Sequence, residues 1–122
     1  MARWLGVPNR LIATIRFAAN SSWLTATAMS KLRAAARWVR TNHVTKLTVT
    51  GFTEKHAHGS IVFRKYLSLQ RARRARTYLL AQFAKIHIRV TIVAVGSGGA
   101  GKNLVSYRRV EVVANGFAPV PK

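Results

Sequence analysis

The chain has 122 residues, 21 of them lysine or arginine against two acids, Glu54 and Glu111, giving a formal net charge of +19, and it has no cysteine. That composition excludes a disulfide framework, a thiol nucleophile and a thiolate zinc site, and it leaves a general acid/base pair or a carboxylate metal cage without side chains. Because 49% of the residues are hydrophobic, the chain reads as one globular domain with a cationic surface rather than a disordered basic tail.

In chain order, residues 1–10 read as an irregular lead-in broken at Pro8-Asn9, and 11–114 as the domain. Leu11 to Phe17 is β-branched and partly alternating, which predicts a strand. Asn20-Ser21-Ser22 is a turn. Thr25 is placed to cap a helix over Ala26 to Arg40, with Ala28, Met29, Leu32, Ala35, Ala36 and Val39 at helical spacing and Asn42-His43 at its end. Lys46 to Gly51 predicts a second strand with Leu47 and Val49 on one face, followed by a loop from Phe52 to Ser60. A second helix is expected from Leu67 to Ala84, with Ser68 as N-cap and Leu69, Ala72, Leu79, Leu80 and Phe83 buried. Ile86 to Val95 and Tyr107 to Ala114 predict two further strands joined by the glycine-rich segment 96–101, and 115–122 reads as a tail with two prolines. The order β-α-β-α-β-β implies an α/β (α+β) two-layer sandwich, with a small mixed sheet and two helices on one face.

No segment reaches the roughly 18 to 20 apolar residues of a membrane span, and the broken opening Met1 to Pro8 lacks a signal-peptide core, so no export segment is expected within these residues. Gly96 to Gly101 ends in Lys102, but Asn103 follows where a phosphate-cradling loop needs Ser or Thr at a helix start, so a connector is the default. His56 and His58, with His43 and His87 elsewhere, lack the further ligands a zinc site draws on. No serine lies in a nucleophile turn. A non-enzymatic domain without metal or cofactor is the expectation. The arginines of Arg71 to Arg76 surround their helix instead of forming one stripe.

One pairing rises above this background. Gly51-Phe52-Thr53-Glu54 stands at a strand end, and Leu67-Ser68-Leu69-Gln70-Arg71-Ala72 opens the predicted second helix. An acid beside an arginine suits a zwitterion, the acid taking an ammonium and the arginine a carboxylate, with helix-start amides adding anion affinity. These two motifs, with Tyr107-Arg108-Arg109-Val110-Glu111 in the last strand and Ile15-Arg16-Phe17 before the Asn20-Ser21-Ser22-Trp23-Leu24 turn, resemble the OmpA-like peptidoglycan-binding domain over Leu11 to Ala114. The sequence departs from the family pattern at Glu54 (usually Asp), Phe52 (usually His), and Arg64 and Tyr107 (usually Asn). The resemblance implies non-covalent binding of the diaminopimelate-containing stem peptide of peptidoglycan and anchoring of an envelope protein to the cell wall. It implies that Glu54 holds the ammonium and Arg71 the carboxylate, that Arg108, Thr53 and Phe52 line or brace the site, and that Glu111 pairs with a basic neighbour. It also implies a location in the cell envelope, periplasmic or wall-associated at the outer membrane. Charge alone predicts salt-sensitive attraction to any polyanion, acidic wall polymers included, and leaves a basic nucleic-acid-associated protein as the alternative, whose binding would persist at physiological salt where a purely electrostatic association falls steeply. Trp4, Trp23 and Trp38 suit either core or contact roles.

Overall fold

The computed structural model describes residues 9–53, 61–83, 87–96 and 108–117. Their order is β1 (Arg10–Arg16), α1 (Ala26–Thr41), β2 (Val44–Phe52), α2 (Ile61–Ala81), β3 (Arg89–Gly96) and β4 (Arg109–Phe117). The four strands form one mixed sheet in the order β1-β4-β2-β3. β4 lies antiparallel to both β1 and β2, while β2 and β3 run parallel, as the crossover through α2 requires. The α/β sandwich expected from the sequence is the one observed.

Local chemistry sets the ends of α1. Thr25 caps its start, its Oγ1 accepting from the Ala28 amide at 3.0 Å, and Asn42 ends it by donating from Nδ2 to the Trp38 carbonyl at 2.9 Å. His43 then takes a left-handed conformation, φ 56°, that turns the chain into β2. α1 buries Ala28, Leu32, Ala35, Ala36 and Val39 against the sheet, while Met29 stays only partly covered. Ile15 of β1, Leu47 and Val49 of β2, Leu79 of α2 and Val110 and Val112 of β4 join Ala28, Leu32, Ala36 and Val39 in one core. Each fully enclosed Leu, Ile or Val contributes about 1.5–3 kcal/mol.

Three expectations need correction. α2 begins at Ile61, six residues before the predicted start. Ser68 is therefore inside the helix, where its Oγ donates to the Lys65 carbonyl at 2.8 Å; it caps nothing, and no helix-start amides lie beside Arg71. The inner face of α2 is Leu67, Ser68, Arg71, Ala72, Ala75 and Leu79, whereas Leu80 is exposed and Leu69 only partly covered. β4 continues through Phe117, three residues into the segment read as a tail, and Phe117 packs edge-on against Trp38 at 6.2 Å.

Candidate functional site

β1, β2 and β3 end, and β4 begins, at one edge of the sheet: Arg16 faces Arg109, Gly51 faces Val110, and Phe52 faces Gly96. The β2–β3 register shifts between Gly51 and Phe52, so the last residues of β2 leave the regular ladder here. The Thr53 amide still reaches the Gly96 carbonyl at 2.8 Å, and the Phe17 amide reaches that of Arg108 at 2.7 Å.

α2 crosses this edge at close range. Glycine is required at position 51, because a Cβ there would run into the Ser68 carbonyl oxygen. Ser68 Oγ also accepts from the Gly96 amide at 3.0 Å, tying α2 to the end of β3. Gly96 itself has φ 67°, a conformation that favours glycine.

Arg71 lies wholly inside this junction. Its Nε donates to the Ser21 carbonyl at 2.8 Å, Nη1 to that of Phe52 at 2.9 Å and Nη2 to that of Ala18 at 3.1 Å, with the Phe17 ring centroid 5.2 Å from its guanidinium carbon. Removing a guanidinium from water costs several kcal/mol. Charge-assisted hydrogen bonds of about 1.5–3 kcal/mol each offset much of that. One side chain thus joins the connection after β1, the end of β2 and the body of α2.

The structure brings Phe52, Thr53 and Arg71 together and sets Arg108 at the same sheet edge; Glu54 and the histidines at 56 and 58 lie outside the described residues. Thr53 is fully buried, and its Oγ1 has no hydrogen-bond partner among the described residues. Phe52 is half-buried with the Arg109 guanidinium 4.0 Å from its ring centroid, and Arg109 Nε meets Glu111 Oε2 at 3.0 Å. Glu111 has the basic neighbour expected of it. The carbonyls of Ala18 and Ser21 were not foreseen as part of the site; the Asn20-Ser21-Ser22 turn, with Asn20 at φ 54°, was the available signal. Among the described residues no three His or acidic side chains gather as metal ligands, and no helix is long and apolar enough to cross a membrane.

A concavity of about 620 Å³ opens between the start of α1 and the outer side of α2, lined by Trp23, Leu24, Met29, Arg73, Thr77 and Tyr78 among others. Arg74 stacks on Trp23 at 4.1 Å and donates to Ser22 Oγ at 2.9 Å.

The OmpA-like domain of FopA1 from Francisella tularensis superposes with a TM-score of 0.66 at 20% identity, covering 82% of this chain and 68% of that one. The C-terminal domain of Helicobacter pylori MotB gives 0.68 at 20% identity, with 83% and 82% covered. The cell wall anchor of the T6SS from Pseudomonas aeruginosa gives 0.61 at 20% identity, with 84% and 79% covered. At such identities the likeness establishes the fold. No curated protein sequence matches the chain. The sequence model of the OmpA family, however, matches residues 16–115, from the end of β1 nearly to the end of β4, and the chain therefore belongs to the OmpA family.

Proposed function

We propose that the domain is a non-enzymatic wall-binding module that grips the stem peptide of peptidoglycan at the strand-end junction. Glu54 takes the ammonium of a diaminopimelate residue and Arg71 its carboxylate, while Thr53, Phe52 and Arg108 line the cleft. The observation that carries this reading is the bond from Arg71 to the Phe52 carbonyl, which ties a rigidly held cation to the strand end two residues before Glu54. The bond to the Phe52 carbonyl limits the side-chain entropy Arg71 loses when a ligand arrives. The Thr53 hydroxyl, buried and without a partner among the described residues, would give a ligand that displaces the cover over Arg71 a second polar contact. Because Arg71 is enclosed, a ligand carboxylate would have to replace its bonds to Ala18 and Ser21, which lie in the connection after β1, while the bond to Phe52 stays.

Family membership supports a wall-binding role, and one structural relative is itself described as a cell wall anchor. The working location is the cell envelope, and the partner is peptidoglycan or a related acidic wall polymer. A nucleic-acid role has charge alone in its favour. The test is co-sedimentation with purified diaminopimelate-type peptidoglycan at moderate salt. Glu54→Gln and Arg71→Lys, each verified as folded, are expected to lose most of the bound fraction, since one charge-assisted contact is worth about 1.5–3 kcal/mol. Parent-like sedimentation of both variants would show that the stem peptide is not held here.

A further inference from the structure

The wall-binding reading uses the inner side of α2 and leaves its outer side unexplained. At 100° per residue, Val62, Tyr66, Leu69, Arg73, Thr77 and Leu80 share one face, opposite Arg71 and Ala75. Val62 is 77% exposed, Tyr66 55% and Leu80 43%, and Trp23, 70% exposed, stands beside them against Arg74. The other exposed large apolar residues among those described, Leu11 and Val93, sit singly on β1 and β3. Isolated apolar residues on a surface are ordinary; several gathered along about 27 Å of helix, at 1.5 Å per residue, mark a contact surface.

The charge of the same layer is one-sided. Neither α1 nor α2 contains an acidic residue. α1 exposes Lys31, Arg33, Arg37 and Arg40, and α2 adds Lys65 and Arg73 in the open, with Arg74 and Arg76 partly so. The helices are clamped to each other by Arg33 donating to the Tyr78 hydroxyl at 2.7 Å and Arg40 to the Gln82 carbonyl at 3.0 Å, so both present this charge from one fixed layer.

We infer that the outer face of α2, with Trp23, docks on an anionic lipid bilayer. Trp and Tyr settle at the headgroup level, aliphatic side chains such as Val62 and Leu80 reach just beneath it, and flanking Lys and Arg meet the lipid phosphates. Exposed Val and Leu offer nothing to a base or a sugar-phosphate backbone, and one face of the Trp23 ring is already covered by Arg74. A second copy of this chain would bring +19 against +19. The inference stands apart from the wall-binding reading, because vesicle and peptidoglycan assays succeed or fail separately.

The test is flotation of the whole chain with vesicles containing roughly one-third phosphatidylglycerol, against pure phosphatidylcholine, at about 0.15 M salt. The expected result is binding to the anionic vesicles only, weakened roughly 10- to 30-fold by Arg73→Gln with Arg74→Gln and by at least about tenfold by Trp23→Ser with Leu80→Ser. Lys46→Gln with Arg89→Gln removes the same charge from exposed sites on β2 and β3 and is expected to change binding less than about twofold. Melting temperatures of all three pairs confirm the fold. Equal weakening by both arginine and sheet pairs, or no effect of Trp23→Ser with Leu80→Ser, would overturn the inference. So would a dimer in sedimentation, or sequence-tolerant RNA binding, that the Trp23 and Leu80 changes abolish; these outcomes assign the face to a second copy or to nucleic acid.

Discussion

Arg71 and Arg74 are three residues apart on one helix, and their surroundings differ completely. Arg71 points into the sheet end and meets three carbonyls, whereas Arg74 points outward and lies on an exposed tryptophan. In the first position the charge is part of the packing, and removing it strands acceptors that water cannot easily reach. In the second, water and salt screen the charge, and its loss is felt by a partner more than by the fold. A charged residue is therefore read by what surrounds its head group, and α2 has a structural face and a contact face despite its evenly distributed arginines.

That contrast is open to breakage by substitution. Arg71→Ala is expected to destabilise by about 3 kcal/mol or more, because the Ala18, Ser21 and Phe52 carbonyls lose their donor and a cavity remains; urea unfolding measures it, and a near-neutral result would mean that the cage is replaceable by water. Gly51→Ala is expected to cost about 1–3 kcal/mol by pushing α2 off the end of β2, visible as a lowered melting temperature. Thr53→Val removes a buried hydroxyl that has no partner among the described residues, and a gain of about 1 kcal/mol in urea unfolding is expected. The same variant is expected to bind peptidoglycan less well, so that stability and binding move in opposite directions. Arg74→Ala is expected to change stability by less than about 1 kcal/mol, the range of a partly exposed cation–π contact. Equal losses from Arg71→Ala and Arg74→Ala would erase the distinction between the two faces.

Much of the fold was legible because its elements obey single rules. Leu47 and Val49 alternate as a half-buried strand must, and Thr25 sits where a cap is needed. α2 was misread because two rules competed there. Ser68 resembles an N-cap, yet its hydroxyl bonds back to Lys65 and across to Gly96, so the helix runs through it. Assigning the leucines to the core put Leu80 inside and left Arg71 out of it, since a buried arginine becomes favourable only through carbonyls such as those of Ala18 and Ser21, some fifty residues earlier in the chain. Of the candidate site, the motif order carried the strand end and the arginine. It did not carry the cage around that arginine, which depends on tertiary contacts, nor the outer stripe of α2, which emerges only once the helix is known to begin at Ile61.

The most direct measurement of the central claim is calorimetric titration of a defined diaminopimelate-containing stem peptide into the parent domain and into Glu54→Gln, at a salt concentration that suppresses nonspecific attraction. The expected result is saturable binding by the parent and an affinity lower by roughly tenfold or more in the variant, as the loss of one charge-assisted contact dictates. Identical titrations, or no heat from either protein, would contradict it.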